Sequence, residues 1–409
     1  MRQRRNAPAR AEASDGFVTM DTVDHPVDHA PRASWENLRG PTRTLAACVA
    51  ATRPKSLTAA VIPFAVGTSL ACADGPPRWS HAAPAFAAFV LMQIGCNLVN
   101  DACDFTRGAD GPARTGPTRV SQAGVFRAEN VHRCGVLCLV LAAVAMAPAA
   151  LDLEHERPRC ASEGPCRTVV DRVQWSVVLL TTSSVAAAYA YTGGPYPLGY
   201  HALGEATVFV FFGVVAVALA KRVHVGPHAC DAVESAAACA LRDVRRALCD
   251  LDALVAGAQT GALACVLLAV NNLRDARTDA AANKNTLAAT RGTAFAKREI
   301  DALMAVAFLL AWYWWFTRIG LGETPRLGAG LDRVGGEEDA SRATAAKTRW
   351  RASTAPCLAV PLALSVSRRA RALEPGHKDC DSVLAAAAAL HFAFGGLLAL
   401  GIALDAKRA

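Results

Sequence analysis

The chain has 409 residues, of which 53% are hydrophobic and 19% are charged. A water-soluble chain of this length usually divides into two or three domains whose helices and strands keep a polar face. Here the apolar residues form long runs, and stretches with charged residues, Pro or Gly separate them. Most Lys and Arg residues behind the net charge of +8 lie between the runs, where they orient membrane helices and contact lipid headgroups. The composition therefore excludes an ordinary soluble protein, points to membrane lipid as a partner and predicts no nucleic-acid partner. It allows no prediction about a protein partner.

The apolar runs predict an all-α, polytopic membrane protein. A helix needs roughly 18 or more apolar residues to cross about 30 Å of hydrocarbon. About nine runs approach or reach this length, the eighth being the shortest, and they lie near 57–73, 81–100, 131–151, 173–190, 204–220, 251–271, 300–316, 355–366 and 383–404. We expect one membrane-embedded domain over residues 46–409, with its helices around a central cavity.

The first 45 residues are polar and have no periodic apolar pattern. Residues 1–11 are rich in Arg and contain no acid, which is typical of organelle transit peptides, although acidic residues follow soon after. We interpret residues 1–45 as a transit segment or a disordered extension. A transit segment favours a plastid membrane, and a bacterial inner membrane is the alternative.

The 14 cysteines include no CxxC pair that would indicate a zinc or redox site. Several lie in apolar runs, where Cys behaves as a small hydrophobic residue. Cys160 and Cys166 share one loop and can form a disulfide if their compartment is oxidising. The cysteines indicate no catalytic role.

With nine spans, the loops fall into two sets. The loops on the N-terminal side are 101–130, 191–203, 272–298 and 367–382. The loops on the opposite side are 152–172, 221–250 and 317–354. The second set mixes charges with Gly, Pro and Ser and is interpreted as solvated connections. The polar chemistry is concentrated in the first three loops of the N-terminal side.

The second predicted span ends in a stripe of polar residues. Asn97, Asp101 and Asp104 are spaced i, i+4 and i+7, so they share one face of a helix, and Asp110 follows in the loop. Carboxylates on a membrane helix are costly and usually mark a functional site. Closely spaced acids repel each other, and carboxylate oxygens suit Mg²⁺ that also bridges to phosphates. The pattern predicts a Mg²⁺ site.

The sixth predicted span ends in a second stripe. Asn271, Asp275 and Asp279 fall on one face at i, i+4 and i+8, and Asn272 precedes the acids. Both stripes close even-numbered spans, so both face the same side of the membrane. Two acidic stripes across a cavity can hold Mg²⁺ ions around a diphosphate, which would stabilise a departing pyrophosphate.

Basic residues accompany both stripes. Arg107, Arg114 and Arg119 follow the first stripe, and Lys284 follows the second. Arg53 and Lys55 precede the first span on the same side. Arg suits bidentate contacts with phosphate oxygens, whereas Lys acts as a compact point charge. We interpret them as candidate diphosphate partners, with lipid headgroup contact as the alternative for each.

In the loop between the fourth and fifth spans, Gly193, Gly194, Pro195 and Pro197 interrupt any helix. Tyr191, Tyr196 and Tyr200 can stack on an aromatic acceptor or stabilise a carbocation, or else form an interfacial aromatic belt. Glu205 opens an otherwise apolar span and is a stronger site candidate than His201.

These segments resemble the UbiA superfamily of intramembrane prenyltransferases, and within it the branch that acts on 1,4-dihydroxy-2-naphthoate. The stretches that carry the resemblance are ATRPKSL at 51–57, QIGCNLVNDACDFTRGADGPARTGPTRVSQAG at 93–124, YTGGPYPLGYHALGE at 191–205 and NNLRDARTDAAANKNTL at 271–287. The resemblance covers roughly residues 50–316 and, more loosely, the last span. One departure is Asn283, where the family usually has Gly; we expect a preserved turn because Asn tolerates a positive φ.

The resemblance implies transfer of a phytyl or polyprenyl group from its diphosphate to an aromatic acceptor that loses its carboxylate, on the way to phylloquinone or menaquinone. It implies Mg²⁺ ligands at Asp101, Asp104, Asp110, Asp275 and Asp279. The candidate catalytic residues are Asp101, Asp104, Asp275, Asp279 and Lys284. The candidate substrate-binding residues are Arg53, Lys55, Asn97, Asp110, Arg114, Arg119, Tyr191, Glu205, Asn271 and Asn272.

Two alternatives stay open at this point. A polytopic transporter also places ionisable groups in the membrane, but usually near mid-span and in broken helices. Among prenyltransferases, 4-hydroxybenzoate or homogentisate are the other acceptors to consider.

Overall fold

The computed structural model describes residues 34–111, 114, 116–151, 173–225, 236–316, 350–377 and 379–406. The described chain is almost entirely helical, with one isolated bridge between His201 and Asn285. The proposed disulfide between Cys160 and Cys166 lies outside the described residues, as do most of loop 317–354 and residues 1–33.

The helices are numbered in chain order. They are α1 (Gly40–Ala51), α2 (Thr58–Asp74), α3 (Trp79–Thr106), α4 (Ala128–Ala145), α5 (Ala147–Leu151), α6 (Trp175–Ala190), α7 (Gly204–Val208), α8 (Ala216–Val223), α9 (Ala236–Leu248), α10 (Leu251–Ala281), α11 (Leu287–Arg291), α12 (Thr293–Leu309), α13 (Ala311–Phe316), α14 (Trp350–Thr354), α15 (Val360–Ala372) and α16 (Cys380–Ala406). A π-helical segment, Phe209–Val215, joins α7 to α8.

Within the described residues, six helical segments are long and apolar enough to cross a membrane. They are Gly40–Asp74, Trp79–Thr106, Ala128–Leu151, Gly204–Val223, Leu251–Ala281 and Cys380–Ala406. α6 is apolar but shorter, with 16 residues. The predicted runs 300–316 and 355–366 are divided among shorter helices, so the count of nine spans stays a prediction.

Helix α10 forms the centre of the bundle. In its most apolar window, 83% of the residues are buried. It packs against α12, α16 and the π-helical segment, and the main hydrophobic core runs along it. α10 also carries the second acidic stripe, so the central packing positions the site.

The π-helical segment approaches α10 very closely. A Cβ on Gly213 would come within 2.4 Å of the Gly257 carbonyl oxygen and 2.6 Å of the Gly261 Cα. Only glycine permits this backbone contact. A π-helical turn inserts one extra residue and often occurs beside functional sites; here it carries Phe211 and Phe212 to the wall of an apolar cavity.

Two sequence interpretations change at the edges of the bundle. The boundary after residue 45 falls inside α1, and Trp35 is already buried against this helix. Loop 221–250, expected to be a solvated connection, contains α9 and buried Lys221 and Arg222. The reason is that its acids pair with these cations, which allows the segment to pack against the bundle.

Candidate active site

The Asp104 carboxylate links three segments of the chain. Its Oδ1 accepts a hydrogen bond from Tyr200 Oη at 2.8 Å, and its Oδ2 accepts from Asn100 Nδ2 at 2.9 Å. Lys284 Nζ lies 2.9 Å from the same Oδ2. Asp104 is buried, and the end of α3, the aromatic loop and the turn after α10 therefore meet at one carboxylate.

Lys284 also faces the second stripe. Its Nζ lies 3.9 Å from Asp279 Oδ1, and it stands 5.4 Å from the centroid of the Tyr200 ring. The turn that presents it contains Asn283 with φ of 55°, as expected for a residue in place of Gly. Burial lowers the pKa of Lys284, but the Asp104 and Asp279 carboxylates outweigh it and raise the pKa.

Arg114 joins the loop after the first stripe to the second stripe. It forms a short salt bridge with Asp110, and its Nη2 lies 3.7 Å from Asp275 Oδ2. Arg119 Nε lies 3.7 Å from Asp110 Oδ2. The two acidic stripes thus converge around buried guanidinium groups.

These guanidinium groups are incompletely satisfied. Within the described residues, Arg114 Nε and Nη2, Arg119 Nε and Asp110 Oδ2 are buried and have no hydrogen bond. Burial, with the Arg53 and Arg114 charges, lowers the pKa of Arg119 well below its ordinary value. Buried donors without acceptors are costly, so this arrangement is suited to a polyanion.

Asp101 and Asp275 have structural partners in place. Asp101 accepts hydrogen bonds from the backbone N–H groups of Val120 (3.3 Å) and Ser121 (3.2 Å), which fixes the loop that carries Arg119. Asp275 accepts from Arg274 Nε at 2.8 Å and Nη2 at 2.7 Å.

The asparagines of the two stripes point to different neighbours. Asn97 Nδ2 donates to the Thr52 carbonyl and to Ser56 Oγ, so it anchors the turn before α2. Asn271 Nδ2 donates to the Leu267 carbonyl of its own helix. Asn272 Nδ2 donates to Glu205 Oε1 at 2.7 Å.

Arg53 and Lys55 differ although both precede α2. Arg53 Nη2 donates to Asn100 Oδ1 at 2.6 Å, and its backbone has the left-handed φ of 51°. Such strain in a residue other than Gly is typical of functional positions. Lys55 is exposed and forms no ion pair within the described residues. The geometry therefore brings Arg53 to the site and leaves Lys55 outside it.

An apolar cavity lies beside this polar cluster. Its wall comes from α2, α3, α6 and the π-helical segment, and Tyr191 is among the lining residues. Burial raises the pKa of Tyr191 well above its ordinary value, and the Glu205 and Asp104 carboxylates raise it further.

The comparisons with known proteins agree with this geometry. A family profile described as "UbiA prenyltransferase family" matches residues 168–331. The chain is 33% identical over 262 residues to "1,4-dihydroxy-2-naphthoate octaprenyltransferase" of Mycobacterium tuberculosis, covering 64% of this chain and 75% of that protein. The chain belongs to the UbiA prenyltransferase family. It is also 32% identical over 246 residues to the protein of the same name from Escherichia coli, covering 60% of this chain and 68% of that one.

A solved structure supports the fold assignment. The apo structure of a UbiA homolog from Aeropyrum pernix K1 superposes with a TM-score of 0.53 and 14% sequence identity. The match covers 85% of this chain and 97% of that one. Membership of the UbiA family confirms the polytopic helical membrane fold and removes the transporter alternative.

Some contacts of the candidate site were not predicted from the sequence. Asn100 bridges Arg53 and Asp104, Tyr200 bonds Asp104, and Arg107 Nη2 donates to the Gly194 carbonyl at 2.8 Å. Arg274 joins Asp275 to Asp381 of α16. Asn100 and Asp104 are also spaced i and i+4, which is the signal that would have identified Asn100.

Proposed function

We propose that this chain transfers a prenyl group from its diphosphate to 1,4-dihydroxy-2-naphthoate, with loss of the carboxylate, in menaquinone or phylloquinone biosynthesis. The observation that carries the proposal is the convergence of two acidic stripes on buried, incompletely satisfied arginines beside an apolar cavity. The names of the bacterial relatives support the acceptor assignment. A plastid membrane and a phytyl donor stay predictions.

The chemistry of the donor set fits Mg²⁺, although no three acidic side chains of the described residues lie close enough together to hold the ion in this structure. Carboxylate oxygens suit this ion, and Asp110 Oδ2 is buried without a hydrogen bond within the described residues. We propose that Asp104, Asp110 and Asp279 provide most of the protein oxygens, with Asp275 beside them and Asp101 acting mainly through the loop that it fixes. When bound, Mg²⁺ supplies Lewis-acid stabilisation of the diphosphate charge.

The basic residues stabilise the negative charge of the departing diphosphate. Arg114 and Arg119 direct unsatisfied guanidinium N–H groups toward the acids, and Lys284 adds a compact charge. As the bond between the allylic carbon and the diphosphate oxygen breaks, negative charge grows on the diphosphate. Donors already in place for that charge stabilise the transition state more than the ground state. Ionisation therefore precedes attack by the aromatic carbon.

The apolar cavity accommodates the donor tail. Its lining combines alanines with Phe89, Phe211 and Phe212 and provides few polar groups. Tyr200, held by Asp104, and Tyr191, which lines the cavity, are aromatic rings that can stabilise an allylic cation.

The test uses the purified chain in lipid nanodiscs with Mg²⁺. Geranylgeranyl, phytyl and octaprenyl diphosphate would each be offered with 1,4-dihydroxy-2-naphthoate, 4-hydroxybenzoate or homogentisate. We expect a prenylated, decarboxylated naphthalene product that disappears when Mg²⁺ is chelated. Product only from 4-hydroxybenzoate or homogentisate would reassign the acceptor, and product from none would refute the proposal.

A further inference from the structure

Glu205 is a buried carboxylate that the diphosphate site does not explain. It opens α7 and is 8% exposed. Its Oε1 accepts a hydrogen bond from Asn272 Nδ2 at 2.7 Å. Its Oε2 is buried and has no hydrogen bond within the described residues. A buried carboxylate oxygen without a donor is costly, so this atom is suited to a ligand hydroxyl.

Tyr191 supplies the complementary group. A Cβ on Gly204 would come within 3.1 Å of Tyr191 Oη, which places this hydroxyl beside the start of α7. Tyr191 also lines the apolar cavity. A hydrogen-bond donor and a carboxylate oxygen thus lie together next to that cavity.

The other titratable groups that face Glu205 are Cys265 of α10 and Glu299 of α12. Cys265 Sγ donates to the Glu205 backbone carbonyl at 3.2 Å. Glu205 has no ion pair with Lys or Arg within the described part of the chain. It is therefore distinct from the acids of the two stripes, several of which pair with Lys or Arg.

We propose that Glu205 and Tyr191 form the subsite for a ring hydroxyl of the aromatic acceptor, with Glu205 Oε2 accepting the hydroxyl proton during carbon–carbon bond formation. This inference rests on the proposed function and adds the group that activates the acceptor. A neutral aromatic ring is a weak carbon nucleophile, and hydroxyl proton transfer to a positioned carboxylate increases its reactivity.

The step balances without another reactant. The bond between the allylic carbon and oxygen breaks first, and its electron pair leaves with the diphosphate. The ring carbon then forms a bond to the allylic carbon while the hydroxyl proton moves to Glu205. The product carbon carries both the prenyl group and the carboxylate beside a new ring carbonyl. The bond to the carboxylate then breaks, carbon dioxide leaves, and the electron pair restores the aromatic naphtholate. Glu205 returns its proton to that oxygen.

The test compares Glu205→Gln with Glu299→Gln in the full chain. Gln retains an oxygen that can accept from Asn272, whereas its amide group cannot take a proton. We expect Glu205→Gln to lower kcat for prenyl transfer by about 100-fold, within the usual range for general-base groups. Glu299→Gln should retain wild-type kcat. Binding of geranyl thiolodiphosphate, a donor analogue that ionises poorly, should be unchanged in both variants.

A pH profile separates proton transfer from a structural role. Under anaerobic conditions, the Glu205→Gln rate should rise about tenfold per pH unit while the acceptor hydroxyl ionises in solution, since the preformed naphtholate needs no base. The wild-type rate should change much less. Wild-type kcat in Glu205→Gln, or a loss of kcat that pH does not restore, would overturn the inference. Failure of the wild type to prenylate the naphthoate would instead refute the proposed function.

Discussion

Both ends of the helical bundle bury charged residues, but two clusters of them differ in their hydrogen bonds within the described residues. At the far end, Lys221 Nζ contacts Asp250 at 2.5 Å and Asp74 at 2.7 Å, and Arg222 Nη2 contacts Asp243 at 2.5 Å. Their charged atoms are all partnered within the described residues. At the site end, Arg114 and Arg119 keep buried N–H groups without hydrogen bonds.

The difference separates structural charge from functional charge. Asp243 also accepts the Ser176 backbone N–H at 2.8 Å, and Asp250 caps α10 through Ala253 N–H at 3.0 Å. The far-end acids therefore hold helix ends together. At the site end, buried N–H groups of Arg114 and Arg119 have no hydrogen bond and can donate to a ligand. Buried charge alone does not identify the site; buried guanidinium N–H groups without hydrogen bonds do.

The largest expected effect follows from removing an unsatisfied cation. Arg114→Met should lower kcat for prenyl transfer by about 100-fold or more, since one preorganised donor to a developing charge contributes roughly that much. Thermal unfolding in detergent should show a moderate loss of stability. Asp110 loses its closest cation, but Arg119 stays 3.7 Å away and the repulsion between Arg114 and Arg119 is removed. A variant with wild-type kcat would contradict the role of the site-end arginines.

The matched change at the far end should lower stability and leave kcat nearly unchanged. Arg222→Met leaves Asp243 buried without its cation, and breaking a buried pair in this way costs about 3–5 kcal/mol. We expect a lower unfolding temperature but near wild-type kcat per folded molecule, measured at a temperature where the variant is folded. A large loss of kcat in the folded variant would remove the distinction between the two ends.

Two neighbouring acids sharpen the comparison within the site. Asp104→Asn weakens the contact with Lys284 and should reduce kcat by orders of magnitude. Asp101→Asn loses one of two hydrogen bonds to the loop at Val120 and Ser121. A loss of about 1 kcal/mol corresponds to a roughly fivefold reduction of kcat. Steady-state kinetics at saturating Mg²⁺ would measure both. Equal losses would indicate that Asp101 contacts the metal directly.

The smallest effect concerns the tail cavity. Ala188 lines the cavity, whereas Ala186 on the same helix is exposed. Ala188→Phe should lower kcat/KM for octaprenyl diphosphate more than for geranyl diphosphate, and Ala186→Phe should change neither. Competition between the two donors, followed by product mass, would measure the ratio. An unchanged ratio in Ala188→Phe would place the tail elsewhere.

Much of the site end could be predicted because helical spacing is visible in one sequence. The i, i+4 pattern located both stripes, and the geometry brings Asp104, Asp110, Asp275 and Lys284 together. Spacing does not show which residues face which neighbour. Asn97 turns toward the segment before α2. Asn100 takes the position beside Asp104 that the pattern had suggested for Asn97.

Contacts between distant segments could not be predicted. Tyr200 and Arg274 reach partners 96 and 107 residues away. The far-end ion pairs could not be predicted for the same reason. In the sequence, Lys221 and Asp250 look like charged loop residues, and only the packing of α9 on the bundle brings them together. Conversely, the positive φ of Asn283 depends only on local backbone chemistry and was confirmed.

The most direct test of the central claim is ligand-linked stability at the two ends. Pyrophosphate with Mg²⁺ would be titrated into the wild type, Arg114→Met and Arg222→Met while thermal unfolding is followed. A ligand that binds only the folded state raises the unfolding temperature, and the rise increases with the ratio of ligand concentration to Kd. We predict a clear rise for the wild type and Arg222→Met, and little or none for Arg114→Met. An equal rise in all three proteins would show that the site-end arginine does not bind the diphosphate.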